Sequence, residues 1–205
     1  MPSKWNVVHL RQSHIARAGD VLALAFDADP IFRSLVPDSG ERYRSLSLVF
    51  RAVVEYTLTH GIVYATPNLE GVICWLPPGK TRITGRRIAA AGFGLAIAVR
   101  RLSPAIRRRF LRGTDYTAAV HKRIMPEPHW YLLALGVQPE QQGRGIGSAL
   151  MAPILTGAGA TGVPCYLETQ TDRNLGFYRR FGFEVAETGQ IPGDTLPLWF
   201  MVRCG

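Results

Sequence analysis

The stretch QPEQQGRGIGSALM, residues 138–151, decides how this chain reads. Gly143, Gly145 and Gly147 alternate with Arg144 and Ile146, after a polar run and before an apolar one. Without Cβ atoms, successive backbone N–H groups can turn toward a single anion. A helix starting at Gly147–Ser148 aims the positive end of its dipole at the same place. Three glycine-rich patterns compete. A dinucleotide fingerprint, G-x-G-x-x-G, would begin at Gly143, but position 148 is Ser and no acidic residue follows at the required distance. A P-loop ends in G-K-[ST], and the segment has no Lys. The pattern that fits is Q-x-x-G-x-G, with Gln142, Gly145 and Gly147, and Gly143 as an addition. Such a loop suits a pyrophosphate. A glycine-rich turn before a helix is the plain alternative.

The 205 residues suit a single domain over 1–205, with a sizeable core. Apolar residues make up 47%, which points to a globular chain and away from disorder. The opening MPSKWNVVHLRQ has no apolar core of a leader, so no signal peptide is expected. The longest apolar run, Ile88 to Val99, is too short to span a bilayer. Cys74, Cys165 and Cys204 are odd in number and show neither metal spacing nor a disulfide framework. A cytoplasmic location without a metal is the expectation.

The net charge of +9 is concentrated. Residues 80–125 hold 12 Lys and Arg against one acid, Asp115, and the rest of the chain is close to neutral.

Along the chain, residues 5–11 read as a strand. Residues 14–36 have helical spacing until Pro30 breaks it. ERYRSLSLVFRAVVEYTLTHG is the clearest helix, with Leu46, Val49, Phe50, Val53, Val54 and Leu58 on one stripe and Gly61 at its end. IVYAT and GVICWL read as a hairpin around Pro67–Asn68. Residues 81–123 are helical in period and divided at Pro104. The remainder reads strand 129–137, glycine loop, helix 146–159, strand 164–169, helix, and two strands. The loop sits at the carboxyl end of a strand, where open α/β sheets place ligands.

LGVQPEQQGRGIGSALM, then YLET, then RNLGFYRRFGFEV, with CWLPPG earlier and PLWFMVR at the end, resembles the GNAT superfamily of N-acetyltransferases. The resemblance is to the subgroup containing puromycin N-acetyltransferase, and it is strong over residues 129–203. It implies an α/β (α+β by segregation) fold. The sheet is mixed and mainly antiparallel, of about six to seven strands with helices on both faces. A V-shaped splay is expected between strands 129–137 and 164–169. Three regions follow: N-terminal strands and helices over 1–80, a basic helical lid over 81–125, and an acetyl-CoA half over 129–203. The resemblance also implies acetyl-CoA as donor and a primary amine as acceptor. Backbone groups of Leu135, Gly136 and Val137 would bind the acyl and pantetheine arm. Gln142, Gly143, Arg144, Gly145, Ile146, Gly147 and Ser148 would cradle the pyrophosphate. Asn174 would contact the coenzyme and Tyr178 would lie near its sulfur.

Amide formation from a thioester needs a neutral amine, a stabilised carbonyl oxygen and a thiolate kept from re-attack. Gly136 is read as marking a bulge that frees a backbone donor for the oxygen, with the N–H of Val137 as candidate. Tyr178 is the candidate acid, against packing on Phe177, Phe181 and Phe183. Glu168 is the candidate base. It shares a strand face with Tyr166, and a salt bridge with Arg173 is the alternative. His129 follows Pro128 at a strand start and reads as exposed, and His60 as a helix-end residue favoured by the dipole.

The arginines between 86 and 112 read first as the solvated face of an amphipathic lid. Capture of coenzyme phosphates, an anionic membrane surface and nucleic acid are the other readings, and neither membrane nor nucleic acid is the expected partner. A homodimer is compatible. If the segment lines the acceptor pocket, polycationic amines should be poor substrates. Two other functions share these features. One is protein N-terminal or lysine acetylation, which needs an open groove. The other is non-catalytic acyl-CoA binding by a protein that docks through 80–125.

Overall fold

A computed structural model describes residues 5–193 and 195–205. Seven strands form one sheet in the order β1-β2-β3-β4-β5-β7-β6. They are β1 (Val8–His9), β2 (Ile62–Ala65), β3 (Gly71–Leu76), β4 (Trp130–Val137), β5 (Cys165–Thr169), β6 (Glu184–Gln190) and β7 (Pro197–Arg203). Only β4 and β5 pair in parallel. The mixed, mainly antiparallel α/β architecture is as expected.

Among the described residues, eight α-helices cover the sheet: α1 (Ile15–Phe26), α2 (Pro30–Leu35), α3 (Ser39–His60), α4 (Gly85–Ala90), α5 (Gly94–Arg101), α6 (Pro104–Ile124), α7 (Ile146–Thr161) and α8 (Asp172–Arg179). α1 stops at Phe26, short of Pro30, and Pro30 starts the next helix. It occupies the first turn of α2, where a missing N–H costs nothing, and Asp29 caps that turn through the Ile31 N–H at 2.9 Å. Asp38 caps α3 through the Glu41 N–H at 2.7 Å. Pro104 starts α6 as the spacing predicts. A second break, at Gly92–Phe93, was hidden inside the apolar run 88–99. Both residues adopt left-handed φ values of 77° and 60°, which ends α4 and restarts the chain as α5.

Every residue of β3 is buried, as helices on both faces require. Val72 and Cys74 join Leu22, Phe50 and Val54 from α1 and α3 in one core. Ile73 and Trp75 face the other way, onto Leu150, Met151, Phe183 and Met201. Burying side chains of this size stabilises the fold by about 1.5–3 kcal/mol each. A third cluster seats Val120 and Met125, from α6 and its end, on Tyr166, Leu198 and Phe200 of β5 and β7. Among the described residues, no helix is long and apolar enough to cross a membrane.

One expectation about β4 needs correction. The bulge is not at Gly136. Cys74 pairs with Ala134 and Trp75 with Leu132, which leaves Leu133 as the extra residue. Gly136 serves packing instead. A Cβ there would lie 2.8 Å from Ala25 Cβ and 2.9 Å from Leu22 Cδ2, so its absence lets α1 rest on the strand.

Candidate active site

β4 and β5 pair through Trp130↔Cys165, Tyr131↔Tyr166 and Leu132↔Leu167, and there the pairing stops. Both strands continue, to Val137 and Thr169, so they part in a V. The splay begins where the β4 bulge falls and leaves the strand edge from Leu133 onward without a partner on that side. A cleft of about 940 Å³ fills the V. Its walls are residues 132–137 of β4, Glu168–Thr171 after the divergence, the α1–α2 turn at Ala28–Pro30, and α8 through Asn174, Phe177 and Tyr178.

The glycine loop closes one end of this cleft. Gly143 and Gly145 have left-handed φ values of 75° and 85°, and a Cβ on either would meet no atom within 4 Å. Their amides therefore border open space at the N-terminus of α7, the geometry an anion needs. Gln142, Gly143, Gly145, Ile146, Gly147 and Ser148 all line the cleft. Arg144 does not. Its carbonyl instead accepts a hydrogen bond from the Trp5 indole at 2.8 Å, which ties the N-terminal segment to the loop. Gln142 braces the loop by donating to the Val137 carbonyl at 3.2 Å and accepting from Arg173 at 3.4 Å. Asn174 lines the cleft and donates to Thr169 Oγ1 at 3.0 Å.

Replacing Gly145 with Val forces a β-branched residue into the left-handed region and puts methyl groups where the anion would sit. We expect acetyl-CoA affinity to fall at least about tenfold, the equivalent of 1.4 kcal/mol of backbone strain and lost contact. Calorimetric titration of the folded variant checks this, and unchanged affinity would remove the loop from the coenzyme site.

Glu168 stands just beyond the last parallel pair, opposite Leu133 in the extrapolated register. Tyr131 Oη donates to Glu168 Oε2 at 2.7 Å, and Tyr166 Oη donates to Oε1 at 2.9 Å. The alternative of an ion pair with Arg173 is replaced by these two phenols, because Arg173 points to Gln142. Burial pushes the Glu168 carboxyl up to about 7, against the opposing pull of the two phenolic hydrogen bonds. The same burial raises both tyrosines, as does the Glu168 charge, so they stay protonated donors. Strand alternation already put Tyr166 on Glu168's face. The part played by Tyr131 depends on the parallel register and had no local signal.

Behind Tyr166 lies a histidine pair that the chain order conceals. His129 is 3% exposed, not exposed as expected, because α6 folds over the start of β4. Its Nδ1 lies 2.6 Å from the Glu127 carbonyl, and since a carbonyl only accepts, Nδ1 carries the proton. His129 Nε2 then accepts from His121 Nε2 at 2.6 Å. The His121 ring stacks on Tyr166 with centroids 4.0 Å apart. Burial, with His129 and Arg82 adding to it, pushes His121 down to about 3. Burial also lowers His129. This neutral pair supports Tyr166 from behind. His60 is at the end of α3 as expected, but it is buried there and its Nε2 bonds the Arg87 carbonyl at 2.7 Å.

Tyr178 lines the cleft at 8% exposure, with its ring edge-on to Phe177 and Phe183. It therefore packs and faces the opening at once. Burial raises its phenol above the ordinary value, so it remains protonated.

A second cavity of about 180 Å³ adjoins the first and shares Glu168 and Gln170 with it. Ile31, Phe32 and Leu35 of α2, Phe110, Thr114 and Thr117 of α6, and Ile191–Gly193 before β7 line it. Several lid arginines are used structurally. Arg109 bonds the Ser34 carbonyl and hydroxyl at 2.8 and 3.0 Å, and Arg123 grips Glu187 at 2.7 and 2.8 Å. The basic segment 81–125 is thus tied to α2 and β6.

Comparison with known proteins agrees with this geometry. Residues 107–183 match the acetyltransferase (GNAT) family. An uncharacterized N-acetyltransferase of Schizosaccharomyces pombe is 27% identical over 196 residues, covering 91% of this chain and 78% of the relative. Among solved structures, a Corynebacterium glutamicum protein described as histone acetyltransferase HPA2 and related acetyltransferase superposes with a TM-score of 0.67. It is 22% identical, over 97% of this chain and 95% of that one. Arylalkylamine N-acetyltransferase 7 of the mosquito Aedes aegypti superposes with a TM-score of 0.64 at 13% identity, over 98% and 87%. An agmatine N-acetyltransferase gives a TM-score of 0.58 at 14% identity, over 98% and 99%. The structural matches establish the fold. The family match over residues 107–183 and the relative's similarity support an N-acetyltransferase enzyme of the GNAT type, a family that uses acetyl-CoA as cosubstrate.

Proposed function

We propose that the chain is a single catalytic domain that moves the acetyl group of acetyl-CoA to a primary amine of a small molecule. The observation that carries this is the position of Glu168, at the junction of the long cleft and the small second cavity. The cleft takes the coenzyme, with its pyrophosphate at Gln142–Ser148 and its arm along Leu135–Val137. The second cavity takes the amine.

Glu168 accepts a proton from the incoming ammonium, directly or through water. The freed nitrogen lone pair attacks the acyl carbon, the carbonyl oxygen takes negative charge, and the C–S bond breaks. Tyr178 donates its phenolic proton to the departing sulfur, and the second proton that the nitrogen gives up as the amide forms restores the phenol. Val137 is four residues past Leu133 on β4, or about 13 Å along an extended strand. We therefore place the oxyanion donor on the open edge near Leu133–Leu135, opposite Glu168, and leave Val137 with the coenzyme arm. Direct attack suits the cysteines. Cys74 and Cys165 are buried with raised thiols, Cys74 to about 12, so neither supplies a ready thiolate. Free cysteines also fit a cytoplasmic location.

A small acceptor is favoured over a protein tail because the second cavity, lined by α2 and α6, is small and most of its exposed wall is apolar. The mosquito and agmatine enzymes are named for small amines, which is compatible. The puromycin-type resemblance points the same way. Release of free CoA should require both acetyl-CoA and an amine from a panel that includes puromycin and arylalkylamines. Tight binding without release from any amine would overturn the reading in favour of an acyl-CoA-binding protein.

Two expectations follow from this site. α6 presents Arg109 and Arg112 at the acceptor cavity, so aminoglycosides should be poor substrates through like-charge repulsion. Good turnover of one at low salt would contradict this. Tyr166→Phe removes one of the two hydrogen bonds that favour the carboxylate, so the acid limb of the kcat/KM profile should move up by about one pH unit. An unmoved limb would mean that Glu168 does not govern the profile.

A further inference from the structure

Seven large apolar residues are exposed among those described, and four of them, Ile83, Phe93, Ile97 and Leu111, lie in the segment that carries the whole charge excess. The two anomalies coincide on the outer side of the lid. We propose that the α4–α5 face of this protein docks on an anionic phospholipid surface, with Phe93 and Ile97 entering the lipid and Arg86, Arg100 and Arg101 meeting headgroup phosphates.

The geometry is built for display. Phe93, Ile97, Arg100 and Arg101 follow at i, i+4, i+7 and i+8, so they share one face of α5. Ala98 and Leu102 are buried at 1% and 5%, toward the protein. Phe93 and Ile97 are 56% and 48% exposed, and Arg86, Arg100 and Arg101 are exposed beside them. Phe93 holds φ at 60°, a conformation that costs a residue with a Cβ about 1–2 kcal/mol in repeated use and is rarely spent on a solvent-facing ring. The turn beneath is anchored. Gly94 lies against the Glu55 side chain of α3, which brings the turn close to the body. Other lid arginines are committed to the fold: Arg87 bonds the Gly79 and Arg82 carbonyls, and Arg123 bonds Glu187.

Charge complementarity selects the occupant. An interfacial helix needs basic and apolar groups together, the basic ones for phosphates and the apolar ones for the acyl boundary. A nucleic acid duplex would use the arginines and leave the exposed Phe93 and Ile97 without a role, and a single strand would want stacking rings where Ile83 and Ile97 stand. The contact proposed is peripheral and reversible, as for an interfacial helix.

The test is co-sedimentation of the full chain with phosphatidylcholine vesicles, with and without a minor fraction of phosphatidylglycerol. The expected result is retention on the anionic vesicles only, weakened by salt. Phe93→Asn with Ile97→Gln should cut partitioning at least about tenfold, as should Arg100→Glu with Arg101→Glu, with melting temperature unchanged. Asn tolerates the left-handed conformation, so the first pair removes the rings without straining the turn. The proposal is overturned by no retention at low salt, by equal retention on neutral vesicles, or by loss with the arginine pair alone. Tighter retention on RNA than on vesicles, or a dimer that the Phe93 and Ile97 changes dissolve without affecting vesicle binding, would also overturn it. Acetyl transfer in solution is not required by any arm of this test.

Discussion

Glu168→Gln should lower kcat/KM by about 10²- to 10⁴-fold, the range over which a positioned base contributes. Gln keeps the size of the side chain and can still accept from one of the two phenols, so geometry is nearly conserved while the proton acceptor is lost. The wild-type profile should rise with pH through about 7, where the buried carboxyl ionises, because the base acts only as carboxylate. That rise should vanish in the variant. Stability should move the opposite way. The folded protein holds this proton more tightly than the unfolded chain, from an ordinary 4.5 to about 7. The group's stabilising contribution is therefore complete below the lower value and lost as pH rises through the upper one. At pH 8 the wild type bears the full cost of an ionised buried carboxylate, at most about 3 kcal/mol, and Gln bears none. Glu168→Gln should then melt higher than wild type at pH 8, with the difference shrinking toward pH 5. A variant that loses activity and melts lower at pH 8 would indicate a structural role for Glu168 and remove it from the proton path.

Tyr178→Phe should reduce kcat by about 10²-fold or more while leaving the affinity for acetyl-CoA within a factor of about two. The ring packs against Phe177 and Phe183, and Phe preserves that packing, so only the hydroxyl is removed. Burial raises the phenol, which alone would make it a weaker acid. The thiolate leaving into the same water-poor cleft is raised as well, so the two groups remain matched. Full activity in the folded variant, with acetyl-CoA binding intact, would show that water protonates the thiolate. A large loss of acetyl-CoA affinity instead would make the hydroxyl a binding group.

Much of this architecture was legible locally. The loop at 142–148 is readable because glycine adopts most readily the left-handed backbone of Gly143 and Gly145. Pro30 and Pro104 marked real helix starts, since proline lacks the N–H that a helix interior would use. Tyr166 and Glu168 were put on one face by the two-residue period of a strand. The misreadings share one cause. Gly136 looks like a bulge, and His129 looks exposed, only while the helices that cover them are out of view. α1 explains the glycine, and α6 explains the buried histidine. The break at Gly92–Phe93 was masked because an apolar run has no phase by which to detect an interruption.

By itself, then, the sequence determined the order of elements, the glycine loop, and Glu168 and Tyr178 as the chemical candidates. These depend on backbone allowances and side-chain periods that act within a few residues. Tertiary structure alone decided that β4 and β5 part after Leu132 and Leu167, that Tyr131 reaches Glu168 across 37 positions, and that α2 and α6 enclose a second cavity against it. It also decided which lid residues face solvent. Each of these depends on which surfaces the core buries against one another, and no local stretch of chain carries that information.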